Sequence, residues 1–140
     1  MISRRDILKG AAIAGAAALV RPVEFALATA SQPTTPVNFD VPAEACDCHV
    51  HIFEPARFPF AASRTYTPEP ASVAELLAMH RALHLDRVVI VQPSVYGTDN
   101  SVTLDAVKQI GASARGVAVI DEQIPDGDLD AMWRGGIRGL

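Results

Sequence analysis

Residues 87–92, Arg-Val-Val-Ile-Val-Gln, decide the fold. Four consecutive apolar residues, three of them valine, favour a strand that is buried on both faces, as the strands of parallel sheets are. Pro93 follows and ends the strand because it has no backbone N–H for the ladder. Residues 115–120, Arg-Gly-Val-Ala-Val-Ile, have the same character. These two runs predict neighbouring buried strands.

Helical patterns lie around these strands. Ser72 and Glu75 have the spacing of a capping box, and apolar residues recur at helical intervals to about residue 85. Residues 101–110 predict a second helix, which Gly111 would end, and residues 128–133 a third. Further strands are predicted over residues 45–53 and 137–140. The order β-α-β-α-β-α-β indicates parallel strands with right-handed crossovers, as in a doubly wound sheet or a barrel.

The composition limits the classes of protein. Of 140 residues, 49% are apolar and the net charge is −4, which suits a folded domain. The basic residues form no cluster, so we expect no nucleic-acid partner. The two cysteines are too few for a disulfide scaffold. A complete barrel needs about 250 residues.

The first thirty residues have the features of an export signal. Arg4 and Arg5 precede a short Ala- and Gly-rich apolar stretch, too short for the ~20 residues of a membrane-spanning helix. Paired arginines are typical of the twin-arginine route. We therefore expect residues 1–30 to be a twin-arginine signal peptide, handled by that export machinery, and residues 31–44, rich in proline, to be a linker. The expected location is periplasmic or secreted, with no stable membrane span; an uncleaved amphipathic helix or amino-terminal anchor is the alternative.

The first predicted strand carries ionisable residues. Side chains alternate between the two faces of a strand, so Asp47, His49 and His51 should share one face. Cys46 and Cys48 should lie on the other face, as small core residues beneath the helices. Burying an acid and two imidazoles is costly unless they are paired or bind something.

Two histidines two residues apart on a strand direct both rings toward one point. Such a pair suits a divalent metal, with zinc the first candidate, although histidines satisfied by protein groups are the alternative. His80 and His84 are also spaced to share a helix face, but we expect them at a helix surface or edge because the glutamate of the zinc-protease motif is missing. Asp121 is as easily an ordinary loop acid as a site residue.

Taken in order, these segments resemble a known family. Asp47-x-His49-x-His51 resembles the opening motif of the amidohydrolase superfamily. The segments after this motif resemble the amidohydrolase-related (amidohydrolase 2) branch of that superfamily, which includes 2-pyrone-4,6-dicarboxylate lactonase. The matching segments are Phe53-Glu54-Pro55, Tyr66-Thr67-Pro68, Val91-Gln92-Pro93-Ser94, residues 115–121 and residues 136–139.

The resemblance implies an α/β fold, the amino-terminal part of a (β/α)₈ TIM barrel with about three and a half βα units, truncated within residues 45–140. It also implies that His49 and His51 are catalytic residues and metal ligands, and that Tyr66, Ser94 and Arg138 bind the substrate. The family's later histidines and its catalytic aspartate would lie on strands that this chain lacks. Catalysis without a metal is the alternative, since some lactonases of the branch need none.

The resemblance further implies a hydrolase that opens a lactone or another cyclic ester of a carboxylated small molecule. Two alternatives stay open at this point. One is a metal-dependent decarboxylase of the same fold, and the other is a non-catalytic exported α/β domain that binds a metal or a partner.

Overall fold

The computed structural model describes residues 30–140, so the predicted signal peptide lies outside the described residues except for Ala30. Within residues 30–140, four strands and three helices alternate, as the sequence predicts. The same part of the chain contains two short 3₁₀ turns, Ser94–Tyr96 and Gly111–Ser113. The elements are β1 (Cys46–Val50), α1 (Val73–Leu83), β2 (Arg87–Val91), α2 (Ser101–Ile110), β3 (Ala114–Val117), α3 (Asp126–Arg134) and β4 (Ile137–Gly139).

The four strands form one parallel sheet in the order β1-β2-β3-β4. A doubly wound sheet would reverse its strand order at a switch point, with helices on both sides. Here each strand lies beside the one before it, and right-handed crossovers that all run in one direction place the helices on one face. This is the arrangement with which a βα barrel begins, and it removes the doubly wound alternative.

The sheet has a covered face, which packs against the helices, and an open face. Val88 and Ile90 of β2 are buried on the covered face, together with Ala114 of β3. Val89 and Val91 alternate with them and stay partly exposed. In a barrel the open face is the interior, where strand ends from several βα units converge.

Gly116 of β3 allows close packing at the centre of the covered face. A Cβ atom at this position would lie 2.5 Å from Ile137 Cδ1 and 3.2 Å from Thr103 Cγ2. The absence of a side chain at Gly116 thus leaves the space that the Thr103 and Ile137 side chains occupy against β3.

Helix α1 begins as its sequence predicts and ends at Leu83, slightly before the predicted end near residue 85. The Ser72 hydroxyl accepts a hydrogen bond from the Glu75 amide at 3.3 Å, and the Glu75 carboxylate accepts from the Ser72 amide at 2.8 Å. The Glu75 carboxylate accepts hydrogen bonds from the Ser72 amide, the Ser72 hydroxyl and the Ala30 amide, and these lower its pKa below the ordinary value. His84 ends the helix in the left-handed conformation, with φ of 58°. No helix within residues 30–140 is long and apolar enough to cross a membrane.

Candidate active site

Strand β1 contains an extra residue between Asp47 and Val50, next to its ionisable side chains. Asp47 lies beside Val88 of β2, and Val50 lies beside Ile90. The chain thus advances three residues on β1 while it advances two on β2, which is the count of a β-bulge. Bulges interrupt the alternation of side chains, and they are common next to active sites.

The bulge separates Asp47 from the two histidines. The Asp47 carboxylate lies toward the covered face, where its Oδ2 is 3.2 Å from Nε2 of His80 on α1. The expectation that Asp47 shares a face with His49 and His51 was therefore wrong, because simple alternation does not allow for the extra residue. His80 is 4% exposed, so the expected surface position was wrong for this histidine, whereas His84 is exposed.

The two cysteines do not pack beneath the helices. Cys48 is exposed and Cys46 is only partly buried, so the expectation of two core residues was wrong. The bulge again explains the difference, because it turns Cys48 away from the core. Desolvation, followed by a hydrogen bond with the Cys48 side chain, raises the pKa of Cys46 above the usual thiol value. The Cys48 thiol also lies 3.5 Å from the Cys46 carbonyl oxygen.

The structure brings His49 and His51 together. Their ring centroids are 5.2 Å apart, the rings are nearly perpendicular at 86°, and both residues are exposed. The flanking Val50 and Ile52 pack into the core, so the two histidines project from the opposite face. Two exposed imidazoles on one side of a strand can bind a common ion or one polar ligand.

The tautomer of His51 follows from its hydrogen bond. His51 Nδ1 lies 2.8 Å from the Val91 carbonyl oxygen, at the carboxyl end of β2. A carbonyl oxygen can only accept, so Nδ1 carries the proton and a neutral ring has its lone pair on Nε2. Backbone carbonyls orient metal-binding histidines in the same way. His51 is thus oriented to offer Nε2 as a ligand or a base.

Ser94 follows β2 at the same end of the sheet. It is exposed and opens the 3₁₀ turn Ser94–Tyr96, only three residues after the carbonyl that binds His51. The loop from this turn to α2 is held by Gln92, a buried residue whose Nε2 donates to the Asp99 carbonyl oxygen at 2.8 Å. The Thr103 hydroxyl donates in turn to Gln92 Oε1 at 2.6 Å.

Asn100 extends this network to the end of β3. Its side-chain amide donates to the Val119 carbonyl oxygen at 2.7 Å and accepts from the Val119 amide at 3.0 Å, as a neighbouring strand would. Sequence reasoning missed the roles of Gln92, Asn100 and Thr103. A polar residue at the end of an apolar strand was the available signal for Gln92, since a buried amide needs partners nearby.

The contacts of Tyr66 and Arg138 do not include the two histidines. Tyr66 is 47% exposed on the loop between β1 and α1. The Arg138 guanidinium stacks on the Trp133 ring, 3.7 Å from its centroid, and donates to the Trp133 carbonyl oxygen at 2.6 Å. Asp121 accepts from the Gln123 amide at 3.0 Å, which is an ordinary turn contact. The substrate-binding roles of Tyr66, Ser94 and Arg138 stay predictions.

The chemistry of the histidine pair fits a divalent metal as a partial ligand set. Zinc in proteins takes three or four ligands, commonly imidazole nitrogens. Within residues 30–140, no group of three or more His, Cys, Asp or Glu side chains is placed to hold a metal ion. His49 and His51 would thus supply two ligands, and the others would come from residues outside this part of the chain or from water.

The parallel sheet, with helices on one face and polar side chains at the carboxyl ends of its strands, defines the class of βα-barrel proteins. The family model described as amidohydrolase matches residues 46–140, and the chain belongs to this family. A second model, the twin-arginine translocation pathway signal sequence, matches residues 1–20. The resemblance found in the sequence is confirmed, for the family and for the signal.

Similar proteins support the same assignment. The chain is 42% identical to a 2-pyrone-4,6-dicarboxylate hydrolase of Comamonas testosteroni and 36% identical to a 4-sulfomuconolactone hydrolase of Rhizobium radiobacter, over 79% and 76% of its residues. It covers 36% of the length of each. A solved structure from Acinetobacter baumannii, a probable 2-pyrone-4,6-dicarboxylic acid hydrolase with citric acid bound, matches 69% of this chain and 36% of its own, with a TM-score of 0.65 and 27% identity.

Proposed function

We propose that the protein is a hydrolase that opens the lactone ring of a small molecule carrying carboxylate groups. The observation that carries this proposal is the exposed His49–His51 pair, in which the bond to Val91 directs Nε2 of His51 away from the backbone. The similar proteins named for hydrolysis of a pyrone dicarboxylate and of sulfomuconolactone support the reaction class.

Lactone hydrolysis adds water to the ring carbonyl and then expels the ring oxygen. Negative charge develops on the carbonyl oxygen, so a donor or cation beside that oxygen lowers the barrier. His49 and His51 have two possible roles in this step: they hold a divalent ion, for which zinc is the first candidate, or they polarise the carbonyl directly. A bound ion of this kind would act as a Lewis acid and lower the pKa of a coordinated water.

The charged groups of the substrate require polar partners. Ser94 is exposed at the carboxyl end of β2, the same end at which the Val91 carbonyl oxygen binds His51. We assign Ser94 and Tyr66 to hydrogen bonding with a substrate carboxylate or hydroxyl. Arg138 can grip a carboxylate with two N–H donors. For that it would exchange its carbonyl contacts with Trp133 and Ile137 for the ligand.

The match to an export signal supports a reaction outside the cytoplasm. The match to the twin-arginine signal at residues 1–20 supports export by that route, which delivers the protein to the periplasm or the medium. The small-molecule substrate would then be met in that compartment.

An absorbance assay tests the proposal on the protein expressed from its complete reading frame. The substrates are 2-pyrone-4,6-dicarboxylate and 4-sulfomuconolactone, and the reaction is followed as loss of the conjugated ring. We expect turnover of at least one lactone, and a fall of 10²-fold or more in kcat/KM for His49→Ala. Carbon dioxide release without ring opening would support the decarboxylase instead.

Metal analysis of the unaltered protein and of His49→Ala tests whether His49 binds a metal ion. Equal metal content in the two proteins would contradict ligation by His49.

A further inference from the structure

The Asp47–His80 pair lies outside the chemistry assigned so far, although it adjoins the histidine pair in the chain. His80 is a buried imidazole in the last turn of α1, and Asp47 belongs to β1, the first strand of the sheet. The residues are 33 positions apart, and their side chains meet at 3.2 Å. A buried imidazole that pairs with a partly buried carboxylate, and so joins a helix to the first residue of a bulge, needs a physical account.

Asp47 accepts hydrogen bonds from two directions. Its Oδ2 lies 3.2 Å from His80 Nε2, and its Oδ1 lies 3.4 Å from the backbone nitrogen of His49. A side-chain oxygen that accepts from the amide two residues later closes an Asx turn, which bends the backbone away from the extended form. The second contact therefore spans the part of β1 that contains the extra residue.

The first contact determines where the Asp47 carboxylate points. The strand position of Asp47 is beside Val88, whose side chain is buried under the helices. A carboxylate directed to that face needs a buried donor, because an unpaired buried charge is costly. His80 supplies the donor. When Oδ2 of Asp47 bonds to His80 on the covered face, Oδ1 is left within hydrogen-bond distance of the His49 amide.

We propose that His80 and Asp47 are positioning residues that hold the β1 bulge and thereby set the His49 ring beside His51. The pair acts through the backbone of His49 and touches neither the substrate nor a metal. This inference rests on the proposed site at His49 and His51, but it concerns the geometry of the site and does not depend on which reaction takes place there.

The experiment uses two variants of His80 in the ¹⁵N-labelled full chain. His80→Gln keeps an N–H donor at nearly the position of Nε2, whereas His80→Leu removes it and fills the space. His84→Asn is the matched control, because His84 is an exposed histidine at the C-cap of the same helix and asparagine tolerates its left-handed backbone. Two quantities are measured: hydrogen exchange of the His49 amide and the nuclear Overhauser effect between the His49 and His51 rings.

We expect His80→Leu to lose the ring-to-ring effect and to exchange the His49 amide at least tenfold faster. The amides of Val88 and Ile90 should keep their protection, which shows that the sheet persists. His80→Gln and His84→Asn should match the unaltered chain. The inference is overturned if folded His80→Leu retains both signals, or if His80→Gln loses them.

Stability alone would not decide the question, because a buried apolar residue often replaces a polar pair at no cost. Should His80→Leu fail to fold, long-range ¹H–¹⁵N spectra of the unaltered chain replace it. A proton on His80 Nε2 is the result expected for a donor to Asp47, and a neutral ring protonated on Nδ1 alone overturns the inference. These measurements include no lactone and no metal, so their failure would leave the proposed hydrolase intact, and a failed lactone assay would leave them unaffected.

Discussion

His51 Nδ1 lies 2.8 Å from the carbonyl oxygen of Val91, so the imidazole of the first strand is fixed to the end of the second. The contact lies at the carboxyl ends of the strands, where barrel enzymes place their reactive groups. One ring nitrogen is used for orientation and the other is left for chemistry. This division allows the two roles of His51 to be separated by substitution.

Asparagine at position 51 should keep the anchor and remove the reactive nitrogen. In His51→Asn the side-chain amide stands near the position of Nδ1–H and can still donate to Val91, but nothing replaces Nε2. We expect kcat/KM for lactone hydrolysis to fall by about 10²–10⁴-fold. The midpoint of urea unfolding should change little, since the residue is exposed. Near-normal activity of His51→Asn would remove Nε2 from the mechanism.

The buried network behind Ser94 should contribute measurably to stability. Thr103→Val keeps the shape of the side chain but leaves Gln92 Oε1 without the donor that now lies at 2.6 Å. An unsatisfied buried acceptor costs about 1–3 kcal/mol, so the free energy of unfolding should fall by that amount. Thr98→Val, at an exposed threonine of the same loop, is the matched control and should change it by less than about 0.5 kcal/mol. Equal effects of the two substitutions would contradict the assignment.

An ion pair between the first loop and α2 should make stability depend on pH. Arg57 donates two hydrogen bonds to Asp105, at 2.9 and 3.1 Å, and this contact holds the pKa of Asp105 below its usual value. A carboxylate with a lowered folded pKa stabilises the protein above its unfolded pKa of about 3.9, and this contribution is lost as the pH falls through the folded value.

The corresponding variant is Asp105→Asn. Urea midpoints should show it less stable than the unaltered protein at pH 6, with the difference closing as the pH falls below about 4. Asp130→Asn, at an exposed acid of α3, serves as the control. A difference that stays constant from pH 6 to pH 2 would show that the effect of Asp105 is not one of charge.

The sequence predicts the sheet well because its signals are local. The valine-rich run of β2 and the capping box of α1 each depend on residues within a few positions, and both are confirmed. The i, i+2 spacing likewise places His49 beside His51. The choice of a barrel over a doubly wound sheet came from the family resemblance, because βα alternation is common to both.

The errors have a common physical origin in β1. Alternation assigns Asp47 to the face of the histidines and Cys48 to the core, and one inserted residue reverses both assignments. The partner that draws Asp47 to the covered face is His80, which lies 33 residues away, so no local pattern contains it. The Gln92 and Asn100 networks are similar, since their partners become neighbours only when the loop after β2 closes on β3.

A pair of glycine substitutions tests the packing that places β3 at the centre of the sheet. In Gly116→Ala the new methyl group would lie 2.5 Å from Ile137 and 3.2 Å from Thr103, so these side chains must move. Overpacking of this kind costs about 1–3 kcal/mol. Gly127→Ala is the matched control, because a Cβ there meets nothing within 4 Å and the residue lies in α3. Alanine in a helix is better than glycine by roughly 0.5–1 kcal/mol, so this variant should be slightly more stable. Thermal unfolding of the two variants should therefore shift in opposite directions, and a shift of both in the same direction would contradict close packing at Gly116.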